Sequence, residues 1–411
     1  MKERKKISLA TYIFISLALG IITGLCFMKN PEAANTYIKP FGTIFLNLVK
    51  FIVVPVVLLS IISGVISMKD IKKVGSIGVK TITYYLCTTA IAIIIGLFFA
   101  NLFKGSFTVL ETSNLAFEIK DKVSISQTLI DIFPANIAAP FLNANMLQII
   151  VIALFFGIGI ITAEEKGFAT ASLVESLNEV SMKVMNFIIK LSPIGVFALI
   201  VPVVAANGPS ILGSLAMVIL VAYMAYVIHA VCIYSSTVKA LGGISPKQFF
   251  KGMSPAMMFA FSSASSIGTL PLNIECAQKL GAKKDVASFV LPLGATINMD
   301  GTAIYQGVCA VFIATCFGIT LTPMQMLTIV LTGTLASIGT AGVPGSGMIM
   351  LSMVLQSVGL PIEGIALVAG VDRIFDMGRT VVNITGDAAC AVIVSNLEDK
   401  KASKESLEIS L

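Results

Sequence analysis

The feature that most constrains this chain is a series of apolar runs, each long enough to form a helix that crosses a bilayer. The runs predict full-length transmembrane helices near 8–28, 41–67, 75–103 and 145–164, and a further span at about 213–240. The hydrophobic fraction is 56% and the charged fraction is 12%, whereas a soluble domain has about 25% charged residues. The sequence therefore predicts an all-α polytopic membrane protein.

The basic residues lie in short clusters beside the apolar runs, which is typical of cytoplasmic loops. We therefore interpret the net charge of +6 as a topology signal and not as a signal for nucleic-acid binding. Both termini are then expected in the cytoplasm, in a multi-pass protein of the cell (inner or plasma) membrane. The clusters are Lys2, Arg4, Lys5 and Lys6, then Lys69, Lys72 and Lys73, then Lys247 and Lys251, and finally Lys400, Lys401 and Lys404.

From about residue 250 the apolar segments are interrupted by small and polar residues. The interruptions are FSSASSIGTLPL, LPLGATINMDGTAIY and LASIGTAGVPGSG. Irregular backbone at membrane depth occurs only where it is buried in protein or lines a watery cavity. One such break could be a harmless kink, but three within about 100 residues favour a binding site.

The string Ser-Ile-Gly-Thr occurs in two of these breaks, at 266–269 and at 337–340, and a proline follows closely each time. A short repeat of this kind could arise by chance. However, interrupted segments in corresponding positions of two halves are typical of transporters with inverted repeats. We interpret both segments as re-entrant helical hairpins whose tips meet near the middle of the membrane.

The stretch DRIFDMGRTVVNITGD (372–387) carries two of the three arginines of the chain inside an apolar region. On a helical wheel, nearly all of its polar side chains fall within one arc of about 100°. A charge near the bilayer centre costs at least ~3 kcal/mol, so a polar ligand site is the default hypothesis. A self-neutralising structural network is the alternative, and Arg373, at the edge of the arc, is expected to pair with an acid or to face the cytoplasm. The arc holds Asp372, Asp376, Arg379, Thr380, Asn383 and Asp387.

The segment from Gly294 to Thr302 suits a broken helix, because Asn, Asp and Gly tolerate unusual backbone angles. Carbonyl groups freed by such a break can coordinate a cation. With Asp300 and Asp387 as hard oxygen ligands, the segment favours an alkali cation over a soft metal. A plain hinge is the alternative.

The sequence gives little support to an enzyme. The seven cysteines are scattered without metal or disulfide spacing, and no nucleotide-binding loop is evident. The single histidine, His229, lies in the apolar span at 213–240 and is expected to be a helix-packing residue. A channel would need a continuous polar path, whereas these polar groups converge on one pocket, and a membrane receptor remains a further alternative.

Four motifs, in this order along the chain, carry a specific resemblance: SSASSIGTLP, NMDGT, ASIGTAGVPGSG and DMGRTVVNITGD. With them the chain resembles the glutamate transporter family, the dicarboxylate/amino acid:cation symporters (DAACS), over nearly its whole length. The resemblance implies a homotrimer in membrane lipid. Each protomer would have eight transmembrane helices, two re-entrant helical hairpins and inverted repeats, and would work as an elevator-type transporter.

The resemblance also implies a division into two domains. The scaffold would comprise helices 1–2 (1–72) and, after an extracellular segment, helices 4–5 (105–210). The transport domain would comprise helix 3 (73–104) and a core at 211–396 with helix 6, hairpin 1, helix 7, hairpin 2 and helix 8. Residues 397–411 would form a cytoplasmic tail, which its charged composition predicts to be disordered.

The family's substrate contacts transfer onto this chain by motif. Arg379 would hold the side-chain carboxylate of an acidic amino acid with its bidentate guanidinium group, and Asp376 would hold the ammonium group. The other implied contacts are Ser265, Ser266, Thr380 and Asn383 at the α-carboxylate end, Thr302 in the pocket wall, and Val343 and Gly345 on the second hairpin, which would cover the substrate.

The resemblance further implies that sodium is the co-transported ion, with no organic cofactor. The implied sodium sites are three. The first would consist of Gly294, Asn298, Asn383 and Asp387, the second of Thr296 with the carbonyl groups of Ser337, Ile338 and Thr340, and the third of Tyr85, Thr88 and Thr89 with Asn298 and Asp300.

The chain departs from the family at two positions where other members carry an arginine, which here hold Ala264 and Met377. Arg373 could take that place, and the departure leaves potassium counter-transport open. The expected function is a sodium-coupled symporter for L-aspartate and/or L-glutamate, two substrates that differ by one methylene. The alternative is a proton-coupled glutamate/aspartate or C4-dicarboxylate symporter of the same fold.

Overall fold

The computed structural model describes residues 9–67, 76–109, 130, 133–143, 145–208, 210–338 and 346–409. Within these ranges the regular structure is helical and contains no strand. A helix satisfies its backbone hydrogen bonds internally, which is why apolar segments destined for a bilayer fold in this way. The predicted all-α class is confirmed for this part of the chain.

The longer helices are named in chain order, and short helical turns join some of them. They are α1 (Leu9–Cys26), α2 (Lys39–Ser67), α3 (Ser76–Phe103), α4 (Met146–Thr162), α5 (Phe168–Lys190), α6 (Ser192–Asn207), α7 (Ser210–Ile228), α8 (Pro246–Ser263), α9 (Ser266–Lys279), α10 (Lys284–Ile297), α11 (Asp300–Cys316), α12 (Pro323–Ala336), α13 (Ser346–Ser357) and α14 (Asp372–Ile409).

Helix α7 continues beyond Ile228 with altered helical geometry. Its extension contains two π-helical segments, His229–Tyr234 and Val238–Gly242, separated by the short α-helical turn Ser235–Thr237. Such π segments are rare and are often found at functional sites.

Helices α1, α2, α3, α4 and α7 lie where the apolar runs predict spans. By length and composition, four stretches in the described ranges could cross a membrane: Ser76–Ser106, Ile211–Gly242, Lys284–Cys316 and Asp372–Lys401. Shorter apolar helices, such as Val151–Thr162 and Pro193–Ala206, accompany them. The total of eight spans stays a prediction.

The helices pack in two groups. In the first, α2 contacts α4, α5 and α6, and α6 also packs along α1. In the second, α11 and α14 are central, and α3, α7, α8, α9, α10, α12 and α13 surround them. The groups meet where α12 and α13 contact α4, where α13 also contacts α2, and where α6 contacts α7.

The predicted helix breaks position the candidate site. Helices α8 and α9 pack against each other across a two-residue turn at Ala264 and Ser265, as the arms of a helical hairpin do. Helices α12 and α13 also pack together, but residues 339–345 between them lie outside the described ranges. Helices α10 and α11 are separated by the break at Asn298 and Met299.

Glycines allow the central helices to approach closely, as small residues commonly do in membrane proteins. A Cβ atom on Gly96 of α3 would lie 2.7 Å from the carbonyl oxygen of Ile304 of α11. A Cβ atom on Gly301 of α11 would overlap the backbone of Arg379 of α14. These two contacts bring α3, α11 and α14 together around one polar interior.

The predicted disorder of the charged tail is wrong up to Ile409, because α14 continues to that residue. The reason is that acidic residues near the start of the tail have fixed partners. Glu398 accepts hydrogen bonds from Ser76 Oγ at 2.8 Å and from Lys80 Nζ at 2.6 Å. Asp399 forms an ion pair with Lys283.

Candidate functional site

The polar arc of α14 faces the protein interior. The polar residues of this arc are all buried: Asp372, Asp376, Arg379, Thr380, Asn383 and Asp387. Of the four apolar residues predicted on the opposite arc, Ile374, Met377 and Val381 are partly exposed, whereas Ile384 is buried. The helical wheel is therefore confirmed for the polar arc, and for three of the four apolar residues opposite it. Because the polar arc faces inward, other helices can surround its charged groups.

Arg379 lies at the centre of this arc, and its side chain is only 2% exposed. Its Nε donates to Asp376 Oδ1 at 2.9 Å, and its Nη1 and Nη2 donate to the two carboxylate oxygens of Asp372 at 3.0 and 3.4 Å. Its Cζ atom lies 4.8 Å from the centre of the Tyr305 ring, within the range of a cation–π contact. Two acids and one aromatic ring thus fix the guanidinium plane.

The structure shows the contacts of Arg373, which the sequence alone did not determine. Its Nη2 donates to the carbonyl oxygen of Ser263 at 3.1 Å, and its Nη1 lies 3.6 Å from Asp376 Oδ2. The predicted pairing of Arg373 with an acid is therefore confirmed. Asp376 lies between the two arginines, and Thr380 Oγ1 donates to the Asp376 carbonyl oxygen at 2.7 Å.

The turn of the first hairpin lies beside Arg373, which donates to the carbonyl oxygen of Ser263. Ala264 adopts a left-handed conformation with φ of 50°, which terminates α8. Ser265 caps α9, since its Oγ accepts a hydrogen bond from the Gly268 backbone N–H at 3.0 Å. Ser266 is buried at the first turn of α9.

The second predicted hairpin contacts Arg379 through α13. A Cβ atom on Gly347 would overlap the Arg379 guanidinium, so this glycine allows the helix backbone to lie against the charged group. The predicted contacts Thr340, Val343 and Gly345 fall outside the described residues.

The first predicted sodium-ligand group comes together around Asp387. Asn298 Nδ2 donates to Asp387 Oδ1 at 2.9 Å and to the Asn383 carbonyl oxygen at 3.1 Å. A Cβ atom on Gly294 would overlap Asp387 Oδ1 and would lie 2.6 Å from Tyr85 Oη. Tyr85, predicted at the third site, thus also lies beside this first group.

Asn383 connects the ion-ligand residues to the pocket wall. Its Oδ1 accepts a hydrogen bond from the Gly301 backbone N–H at 2.8 Å, and its Nδ2 lies 3.4 Å from Thr302 Oγ1. The break between α10 and α11 therefore packs directly on α14. The residues predicted to bind substrate and those predicted to bind the ion thus lie in one continuous polar interior.

A second polar centre surrounds Asp300, which is fully buried at the start of α11. Thr88 Oγ1 and Thr89 Oγ1, two members of the third predicted ligand group, donate to its Oδ1 at 3.3 and 2.7 Å. Its Oδ2 accepts from Tyr234 Oη at 2.8 Å and lies 3.2 Å from His229 Nε2.

The second predicted ligand group is not joined by hydrogen bonds in the described ranges. Thr296 Oγ1 donates to the Leu293 carbonyl oxygen at 2.9 Å, within its own helix. Ser337 Oγ donates to the Thr334 carbonyl oxygen at 2.7 Å, and Ile338 is buried next to it.

The sequence model of the sodium:dicarboxylate symporter family matches residues 9–397. The chain belongs to this family. The resemblance carried by the four motifs is thereby confirmed.

Three bacterial relatives illustrate the similarity. The proton/sodium-glutamate symport protein of Bacillus subtilis (strain 168) is 38% identical over 405 residues, which are 96% of this chain and 94% of that protein. The protein of the same description from Geobacillus stearothermophilus is 39% identical over 403 residues, with 96% and 95% covered. The proton/glutamate-aspartate symporter of Escherichia coli (strain K12) is 34% identical over 419 residues, with 98% and 95% covered.

The protein is therefore a transporter of the symporter class and not an enzyme.

Sequence reasoning missed several residues that shape this symporter's interior. Asp372 was placed in the polar arc without the role that its bidentate contact with Arg379 gives it. Tyr234 and Tyr305 carry no motif that marks them. His229 is fully buried and packs edge-to-face against Tyr234, as expected of a helix-packing residue. Its ring also contacts Asp300, which was not predicted; a lone ionisable residue inside an apolar span was the available signal.

Proposed function

We propose that this symporter couples sodium entry to the uptake of acidic amino acids, L-aspartate and/or L-glutamate. The observation that carries the proposal is the buried guanidinium of Arg379. A guanidinium has five N–H donors, and the hydrogen bonds to Asp372 and Asp376 use three of them. The remaining two, one on each terminal nitrogen, have no hydrogen-bond partner among the described residues and can hold a substrate carboxylate in a fixed orientation.

Asp376 supplies the complementary group for an amine. It is an anion in a buried site, and its carboxylate lies against both arginines. A substrate ammonium group beside Asp376 and a substrate carboxylate on Arg379 would match the two ends of an amino acid. A dicarboxylate without an amine would leave Asp376 without that partner, so the pair favours an amino acid.

The charge balance supports a coupled cation. Asp372, Arg373, Asp376 and Arg379 together carry no formal net charge, so a bound acidic amino acid adds one negative charge to a buried site. Uncompensated charge in a medium of low polarity is costly. A cation held close by would offset this cost, which is the physical basis of coupling.

The oxygen-rich groups around Asp387 and Asp300 suit sodium. Hard cations prefer carboxylate and carbonyl oxygens. Asn298 Oδ1 is buried and has no hydrogen-bond partner among the described residues, although the amide nitrogen of the same side chain has two. An acceptor in this state fits a cation ligand.

Proton coupling is the second candidate, because the Escherichia coli relative is described as a proton symporter. Uptake of labelled L-aspartate into proteoliposomes separates the two. We expect uptake with an inward sodium gradient, and none with a pH gradient in sodium-free buffer. Equal uptake in the second condition would reverse the assignment, and no uptake in either condition would contradict an aspartate transporter.

An aspartate-binding assay on the purified protein tests the role of Arg379. We expect Arg379→Ala to abolish binding of acidic substrates while leaving the assembled protein intact on size-exclusion chromatography. Unchanged aspartate affinity in this variant would remove Arg379 from the substrate site.

We further propose that the two helix groups act as scaffold and transport domains of an elevator, in a homotrimer with both termini in the cytoplasm. Apolar side chains exposed on the first group, such as Phe155 of α4 and Phe187 of α5, support contacts with lipid or neighbouring protomers. Cross-linking in native membranes and terminus-specific labelling of sealed vesicles test the trimer and the topology, respectively.

A further inference from the structure

Four side chains from two helical elements converge on the Asp300 carboxylate. Thr88 and Thr89 of α3 contact Oδ1, whereas His229 and Tyr234 from the extension of α7 contact Oδ2. All five side chains are buried. The two oxygens of one carboxylate are thus divided between two sets of partners.

The π-helical segment explains how His229 and Tyr234 reach the same oxygen. Residues five apart in an α-helix lie about 140° from each other around the axis. The π-helix has hydrogen bonds between residues five apart, which brings such residues to one side. The ring centroids of His229 and Tyr234 lie 4.9 Å apart with an edge-to-face angle of 85°.

The partners on the two sides of the carboxylate differ in whether they can also bind a cation. A threonine hydroxyl can donate or accept, so Thr88 and Thr89 can turn their oxygen lone pairs toward a cation next to Oδ1. His229 Nε2, in the tautomer that carries its hydrogen there, can only donate to Oδ2. The single hydroxyl hydrogen of Tyr234 faces two acceptors, Asp300 Oδ2 at 2.8 Å and the Val382 carbonyl oxygen at 3.1 Å.

We propose that His229 and Tyr234 are positioning residues for the coupled ion. By holding Oδ2, they fix the carboxylate plane of Asp300 so that Oδ1 stays beside Thr88 and Thr89, where a sodium ion binds. They set the affinity for the ion without contacting it. This inference rests on the proposed sodium coupling, and it adds two residues of the α7 extension to the ion machinery.

The test measures aspartate binding to the purified full-length protein as a function of sodium concentration. Tyr234→Phe removes one hydroxyl and preserves the ring. We expect it to raise the sodium concentration for half-maximal binding about tenfold, the effect of losing one hydrogen bond to a charged group. At saturating sodium, aspartate affinity should change less than about twofold, since Tyr234 makes no contact with Arg379 or Asp376 among the described residues.

His229 is tested by a pair of variants. His229→Ala should raise the half-maximal sodium concentration in the same way, and His229→Gln, whose amide can donate to the same oxygen, should restore most of the loss. Tyr226→Phe is the matched control, because Tyr226 is also buried on α7 and its hydroxyl has no hydrogen-bond partner among the described residues. We expect its sodium dependence to equal that of the wild type.

Each outcome decides between the two proposals. Suppose that aspartate binding to the wild type depends on sodium, and that Tyr234→Phe and His229→Ala have the same half-maximal sodium concentration as the wild type. The positioning role is then overturned, while sodium coupling stands. An equal shift in Tyr226→Phe would also overturn it, because the effect would then follow from any change in the helix. A wild-type protein whose aspartate binding ignores sodium would overturn the proposed coupling and this inference together.

Discussion

Arg373 donates from Nη2 to the carbonyl oxygen of Ser263 over 3.1 Å, and this bond ties α14 to the last residue of α8. The last carbonyl groups of a helix lack partners within it, and a cation near them is favourable. The same guanidinium lies 3.6 Å from Asp376 Oδ2. Arg373 therefore connects the turn of the first hairpin to the acid proposed to bind the substrate amine.

Removing this connection should weaken substrate binding. Arg373→Ala deletes one positive charge from a neutral cluster of four, so an acidic substrate would meet a net negative site. We expect aspartate affinity at saturating sodium to fall about three- to tenfold, as measured by isothermal titration calorimetry. Arg373→Lys, which retains the charge, should lose less, and a tighter complex in Arg373→Ala would contradict the assigned role.

Gly347 should be intolerant of a side chain. An added Cβ atom would overlap the Arg379 guanidinium, and this group cannot easily move because Asp372 and Asp376 hold it. We expect Gly347→Ala to lower aspartate affinity at least about tenfold. The control is Gly159→Ala on α4, where an added Cβ would have no neighbour within 4 Å; equal affinities in the two variants would show that α13 does not approach Arg379 in this way.

The polar face of α14 could be predicted because it depends only on helical period. Residues at 372, 376, 379, 383 and 387 share a side of any α-helix, whatever surrounds it. The contact of Gly347 with Arg379 could not be predicted, since it depends on how a separate helix packs.

Two further features could not be predicted from the sequence: the contacts of the α7 extension and the order of the charged tail. His229 and Tyr234 would lie on different sides of a regular α-helix, and only the π segment brings both onto Asp300. The charged tail looked disordered by composition because its partners, Ser76, Lys80 and Lys283, are distant in sequence.

Gly294 offers a steric test of the ion ligands around Asp387. A Cβ atom there would overlap Asp387 Oδ1 and lie 2.6 Å from Tyr85 Oη, so the methyl group would occupy space between two proposed ion-site residues. We expect Gly294→Ala to abolish sodium-dependent protection against thermal unfolding. Gly213→Ala on α7, with open space around the added Cβ, should keep it, and sodium protection in both variants would place the ion elsewhere.

Asp376 distinguishes an amino acid from a dicarboxylate. If its carboxylate holds the substrate ammonium group, Asp376→Asn removes a charge-assisted contact and should lower aspartate affinity about 10- to 100-fold. Succinate has two carboxylates and no amine, so its binding should not weaken and should gain from the loss of a nearby negative charge. Competition of both compounds against labelled aspartate in the wild type, and direct calorimetric titration of both in the variant, give the two affinities. A parallel loss for succinate and aspartate would mean that Asp376 acts only by holding Arg379 through the bond at Nε, and the amine would then need another partner.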